Sequence, residues 1–141
     1  MLELEKMLQG KIYNPNDEEI LSLRNKAHAL CVKFNKIEDD NDINRKLIID
    51  ELIPHNNNLY LQGPIYFDYG INTHFGKNCY ANFNFTVLDI CSISIGDNVV
   101  IAAGSVVTHN IPSNTLLAGN PSKVIRNITK EDSIYLKKEL F

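Results

Sequence analysis

Apolar residues return at two different periods along this 141-residue chain. In the first third they recur every three or four positions. Ile20, Leu23, Ala27, Leu30, Cys31 and Phe34 fall on one face of a helix. Asn16 stands where it would cap that helix, and Glu18 and Glu19 sit in its first turn beside the positive dipole end. A second stripe, Ile43, Leu47, Ile48 and Leu52, follows the acidic turn 38–42 and stops at Pro54. A short opening helix, Leu2 to Gln9, ends at Gly10.

Further on, the period becomes six. The units begin at Phe75, Ala81 and Val87 and, after a slip of two residues, at Ile95, Ile101 and Val107. Each starts with an aliphatic or aromatic residue in most cases, favours a small second residue and carries a small or branched residue fifth. Such hexads are the signature of a parallel β-helix, in which the first residue points inward and stacks on its counterpart in the next coil. The small second residue lets the chain turn a corner, where Asn and Asp tolerate the unusual backbone angles. Three flat faces predict a prism of about 18 residues per coil. Ordinary antiparallel strands would alternate with period two and turn every 8–12 residues, a pattern this region lacks.

Charge marks the same division. Residues 1–60 hold eight Lys/Arg and eleven Asp/Glu, whereas residues 61–122 hold only Asp68, Lys77, Asp89 and Asp97. A boundary is therefore expected near Asn56-Asn57-Asn58, giving a helical segment over 1–57, a β-helix over 58–126 and a tail over 127–141. The net charge of −3 offers no footprint for nucleic acid. No run approaches the roughly 18–20 apolar residues of a membrane span, and the acidic N-terminus is unlike a signal peptide. Cys31, Cys79 and Cys91 are odd in number and lack zinc spacing, which predicts reduced thiols, no metal and a cytoplasmic setting.

Four runs then carry a resemblance. Tyr80-Ala81-Asn82-Phe83-Asn84, Ile95-Gly96-Asp97-Asn98-Val99, Ala103-Gly104-Ser105-Val106-Val107-Thr108 and Ala118-Gly119-Asn120-Pro121-Ser122-Lys123-Val124-Ile125-Arg126 follow a helical N-terminus in that order. The chain resembles the maltose and galactoside O-acetyltransferases from Met1 to about Ile128. The resemblance implies a mainly β fold, a left-handed parallel β-helix with an N-terminal α-helical segment. It also implies acetyl-CoA as co-substrate, a sugar acceptor, and a homotrimer whose active sites lie between neighbours.

By the same resemblance, Arg24, Asp68, Tyr80 and Asn82 belong around the acceptor. Asn82 can both donate and accept hydrogen bonds to a sugar hydroxyl. The place of the family's acid after Tyr13 is served by Asn14 or Asp17, with helix capping as the alternative role. Asp89 either orients a catalytic partner or closes a corner. On the cofactor side, Ala103, Gly104 and Ser105 leave room for the pantetheine arm to reach the backbone, Thr108 contacts it, and Lys123 and Arg126 face the phosphates. His109 replaces the lysine usual at that turn.

One departure bears on activity. After the Ile-Gly-Asp-Asn-Val hexad the family continues through a Thr/Gly-His-Pro motif, a long loop and further coils. Here Val100 runs directly into Ile101, and roughly fifty residues are absent, about three coils' worth of hexads. The lost histidine is the family's general base, and none of His28, His55, His74 or His109 stands in its motif. No catalytic residue is therefore assigned. Two expectations follow: a sugar O-acetyltransferase by descent, or a shortened, inactive relative that folds and oligomerises or binds CoA or sugar.

Overall fold

The computed structural model describes residues 1–132; of the expected tail, 133–141 lie outside the described residues. Three helices come first, α1 (Glu3–Leu8), α2 (Glu18–Asn35) and α3 (Ile43–Leu52). The face expected of α2 is the one buried, through Ile20, Ala27, Leu30, Cys31 and Phe34. Its cap is Asp17 rather than Asn16: the Asp17 carboxylate accepts from the amides of Glu19 and Ile20, satisfying two donors the first turn leaves open.

The stripe expected on α3 is corrected. Ile43 and Leu47 are exposed; Leu52 is buried and Ile48 packs on the core as expected, and Arg45 and Ile49 take the remaining buried positions. The reason is the surface that α3 meets, the open end of the coil, where backbone carbonyls need a donor. Arg45 supplies it, donating to the carbonyls of Gln62 at 3.0 Å, Leu61 at 3.5 Å and Ile37 at 2.8 Å while lying 4.5 Å over the Phe34 ring.

The remaining elements are short strands: β1 (Tyr60–Leu61), β2 (Ile65–Phe67), β3 (Thr73–Phe75), β4 (Tyr80–Ala81), β5 (Phe85–Val87), β6 (Ile93–Ile95), β7 (Val100–Ile101), β8 (Val106–Val107), β9 (Thr115–Ala118) and β10 (Lys123–Asn127). They stack into three parallel ladders, β1-β4-β7-β9, β2-β5-β8 and β3-β6, each strand pairing with its counterpart one coil on. Inward positions form columns, such as Leu61, Ala81, Ile101 and Leu117, or Phe67, Val87 and Val107, each at most 2% exposed. Each fully buried aliphatic or aromatic side chain stabilises the fold by about 1.5–3 kcal/mol.

The coil is not the regular prism expected. Tyr60 pairs with Tyr80 and Tyr80 with Val100, a repeat of 20 residues, whereas Val100 pairs with Leu116, a repeat of 16. The difference lies at one corner. Between Val87 and Ile95 the chain makes a long turn, while between Val107 and Ile111 it turns tightly. Another corner is a column of asparagines, Asn58, Asn78, Asn98 and Asn114, all with φ between 54° and 60°. Asn98 donates to Asn114 at 2.9 Å.

The start of the coil is an edge that needs covering. The Asn35 side chain does this like a short strand: its amide donates to the Ile65 carbonyl at 2.9 Å and its oxygen accepts from the Ile65 amide at 2.7 Å. At the other end β10 pairs antiparallel with β9, so the last stretch of the region expected as β-helix folds back as a hairpin.

Candidate active site

Two corners of the coil collect the residues singled out above. The first follows the β2-β5-β8 ladder. Because Phe67, Val87 and Val107 are in register, the next residues, Asp68, Leu88 and Thr108, make a second column. The backbone confirms it: the Asp68 amide donates to Val87 and the Leu88 amide to Val107. Rungs about 4.8 Å apart put Thr108 roughly 10 Å from Asp68.

Helix α2 lies along β2 and leaves a cleft of about 320 Å³ beside this column. Its walls include His28, Val32, Tyr66, Asp68, Val87 and Leu88. Burial pushes the Asp68 carboxyl above its ordinary range, and the neighbouring His28 and Arg24 partly oppose that. Arg24 also lies beside Tyr69, a buried side chain of the small cluster with Met7 and Ile20, and donates to the Pro15 carbonyl at 3.3 Å. His28 and Asp68 thus bring polar groups to an otherwise apolar cleft, with Arg24 nearby.

Asp89 is fully buried behind that cleft. One of its oxygens accepts from the Tyr69 amide at 2.8 Å and the other from the Thr73 hydroxyl at 2.9 Å. Burial raises its carboxyl to about 6, although these hydrogen bonds pull it down. Of its two expected roles, the contacts here are those of a corner brace. Asp17 is occupied in capping α2, and Asn14 accepts from the Asn16 amide in the preceding turn.

Tyr80 and Asn82 lie elsewhere. Tyr80 stacks on Tyr60, ring centroids 5.1 Å apart and 6° from parallel, on the β1-β4-β7 ladder. Asn82 begins the next corner, where its side-chain oxygen accepts from the Phe83 amide at 2.8 Å. Within one chain they are a face away from Asp68, and the structure does not bring the two groups together.

Ala103 and Gly104 are exposed at the same corner as Asn82, one coil on, while Ser105 turns its hydroxyl inward to the Ala102 carbonyl at 2.6 Å. Thr108 is exposed beside His109, 3.3 Å away. Lys123 and Arg126 are exposed on β10, and Arg126 pairs with Asp132 through two contacts of 2.9 Å. Among the described residues no group of three or more metal-ligating side chains occurs, and no helix is long and apolar enough to cross a membrane. His28 is exposed on α2, four residues from Arg24 on one helix face.

The chain is similar to known sugar acetyltransferases. The maltose acetyltransferase hexapeptide capping motif matches residues 6–55, the segment that covers the open coil. The galactoside O-acetyltransferase of Escherichia coli is 28% identical, with 96% of this chain and 94% of the relative aligned. A maltose O-acetyltransferase from Clostridium difficile 630 is 31% identical over 92% of this chain and 99% of its own, with a TM-score of 0.66. A galactoside acetyltransferase in complex with coenzyme A is 27% identical over 94% of each chain, with a TM-score of 0.69. The Escherichia coli alignment spans 190 positions, of which this chain supplies about 135; on the order of fifty stand against a gap.

Proposed function

Since the chain belongs to the maltose and galactoside O-acetyltransferase family, as an internally shortened member, we propose that it moves an acetyl group from acetyl-CoA to a sugar hydroxyl, with maltose, glucose or a galactoside as acceptor. The observation that carries this reading is the Asp68-Leu88-Thr108 column. It puts Asp68 and Thr108 on the same corner despite the missing coils, which supports reading the first as acceptor-side and the second as cofactor-side.

The roles follow from chemistry. Arg24 and Asp68 hydrogen-bond acceptor hydroxyls in the cleft, and Tyr80 and Asn82 serve a second acceptor wall supplied by a neighbouring copy of a homotrimer. Asp17 and Asp89 hold that site through the helix cap and the corner. Ala103, Gly104 and Ser105 give the pantetheine amides access to backbone, Thr108 bonds the arm, and Lys123 and Arg126 attract the phosphates. Small, exposed residues at 103 and 104 and cations on β10 fit such a ligand. The coil is left-handed in this reading, the helical segment spans 1–57, and the setting is cytoplasmic. The acceptor oxygen attacks the thioester carbonyl, the C–S bond breaks, and CoA leaves as the thiol.

A second reading is favoured by one observation, the absent histidine segment: a chain that folds, assembles and binds CoA or sugar without catalysing transfer. CoA release from acetyl-CoA, measured with maltose, glucose and galactosides beside a full-length homologue, separates the two. Acceptor-dependent release supports transfer; binding of acetyl-CoA by calorimetry with no release under any acceptor supports the second reading.

A further inference from the structure

A tyrosine and an amide side chain occur twice on the first ladder, one rung apart. Tyr60-Leu61-Gln62 runs in register with Tyr80-Ala81-Asn82: Tyr60 is opposite Tyr80, and the Gln62 backbone amide donates to the Ala81 carbonyl at 2.9 Å. Tyr80 and Asn82 belong to the proposed acceptor wall, and Tyr60 and Gln62 repeat their chemistry one coil earlier. The two later rungs carry Val100-Ile101 and Leu116-Leu117 instead.

The Tyr60 side chain is held in place. Tyr80 covers one face of its ring, centroids 5.1 Å apart. Its hydroxyl lies 2.9 Å from the Asp40 carboxylate and 2.9 Å from the Gln62 side-chain oxygen. One phenolic proton cannot satisfy two acceptors, so this rim keeps accepting capacity for a donor from outside. Asp40 comes from the loop between α2 and α3. The acids beside it are engaged locally, Asp39 with the Asn41 amide at 2.9 Å and Asp42 with the Asn44 amide at 2.8 Å. Asp40 instead reaches across twenty residues of sequence to the coil.

The same tyrosine borders a cleft of about 250 Å³ between that loop, α3 and β1. Ile49, Leu59 and Leu61 give the cleft apolar carbon, and Asp40 and Asn41 give it polar edges. An aromatic ring with fixed acceptors at its rim suits a sugar. The C–H face of a pyranose packs on the ring, and its hydroxyls donate to the carboxylate and the amide oxygen. The cations here are already engaged: Arg45 donates to backbone carbonyls, and Lys46 pairs with Asp50 at 3.3 Å. A neutral polyol therefore fits this cleft better than an anion does. Successive rungs are about 4.8 Å apart, close to the step between linked sugar rings.

We infer that the cleft beside Tyr60 takes a second sugar ring of the acceptor, with Tyr60 and Asp40 as specificity-determining residues that favour a disaccharide over a monosaccharide. The inference rests on the acceptor role proposed above for Tyr80 and Asn82. One ring lies against Tyr80 and Asn82, and the next lies against Tyr60, Gln62 and Asp40.

The test uses the full chain and reads sugar binding by calorimetry, separately from CoA release. Maltose is compared with glucose, and lactose with galactose. At least one disaccharide is expected to bind about three- to tenfold more tightly than its monosaccharide. Tyr60→Ala is expected to erase that ratio by weakening the disaccharide alone, with acetyl-CoA affinity at its native value. Tyr60→Phe keeps the ring and is expected to retain most of the ratio, whereas Asp40→Ala is expected to reduce it. Equal binding of mono- and disaccharide by the native chain overturns this inference alone. So does a Tyr60→Ala variant that keeps the ratio, or that loses both sugars in equal measure while binding acetyl-CoA normally. If Tyr60→Ala does not fold, the exposed Asp40 decides, and an unchanged ratio in Asp40→Ala overturns the inference. A Tyr60-dependent preference in a chain that releases no CoA supports this site and overturns only the transfer reading. Failure to bind any of the four sugars overturns both.

Discussion

The carboxylate of Asp89 meets the hydroxyl of Thr73 at 2.9 Å inside the coil, both side chains shut off from solvent. The brace holds the long corner that distinguishes the 20-residue coils from the 16-residue one. It also makes stability depend on pH. The folded carboxyl titrates at about 6 against an ordinary value of 3.8, so the native state holds this proton more tightly. This contribution to stability is present at low pH and is lost as pH rises from about 4 through 6. Asp89→Asn is expected to raise the melting temperature at pH 8 and to flatten the pH 4–6 slope, with a scale on the order of 2–3 kcal/mol. Asp89→Ala strands the Tyr69 amide and the Thr73 hydroxyl and costs about 1–3 kcal/mol. Melting of the Asn variant below native at pH 8 would contradict this account.

Arg45 is expected to be the most sensitive contact between helices and coil. It is 8% exposed and satisfies three carbonyls. Arg45→Met leaves those acceptors without a donor, a loss of about 3 kcal/mol in urea unfolding. Arg45→Lys should recover only part, because one ammonium cannot reproduce the planar fork. Full recovery by lysine would reduce Arg45 to a simple charge.

Gly70 and Gly10 offer a matched pair. Both adopt left-handed backbone, φ +74° and +73°. Alanine costs about 1 kcal/mol at either site for that reason alone. At Gly10 an added methyl meets nothing within 4 Å, whereas at Gly70 it would strike the Leu52 carbonyl and lie 2.7 Å from Leu52 Cδ1. Gly70→Ala is therefore expected to cost at least 2 kcal/mol more than Gly10→Ala, on the scale of an overpacked core. Equal denaturation midpoints would show that α3 and the corner yield freely.

Much of this architecture is legible in the sequence. The three-and-four spacing of Ile20 to Phe34 gives the buried face of α2, and the hexads give the inward columns, because burial imposes those periods directly. The slip of two residues after Val87 is the trace of the long corner. What pattern reading loses is polar. Arg45 looks like part of a solvated face, since hydrophobicity cannot reveal that a helix meets unpaired carbonyls. The cleft that brings α2 residues to Asp68 spans forty residues of sequence and exists only once α2 lies along β2. Asp68 and Asn82, both expected around the acceptor by resemblance, sit on different faces of one chain, so only a neighbouring copy could join them.

Arg126 carries its own competitor. Its bidentate pair with Asp132 holds the guanidinium that is proposed to face the CoA phosphates. Asp132→Asn is expected to tighten acetyl-CoA binding severalfold at low salt, and Arg126→Ala to weaken it. Both effects should shrink as ionic strength rises. Isothermal titration at two salt concentrations checks them, and an affinity indifferent to Arg126→Ala would remove that residue from the cofactor site.

The junction at Val100 and Ile101 allows the sharpest test of what the chain has lost. The two residues form β7, which pairs in register with Tyr80 and Ala81 on one side and with Leu116 and Leu117 on the other. Ile101 is fully buried. A strand this regular can be opened and extended by whole coils, because each added coil presents the same edge to the next. Grafting the histidine-bearing segment of a full-length homologue between Val100 and Ile101 is expected to keep the fold and to raise turnover about a hundred- to ten-thousand-fold. The gain has two sources, a base in the family's own position and the flanking loop that orients the acceptor. If the graft folds and binds acetyl-CoA but turnover stays at the native level, the absent segment is not what limits this chain.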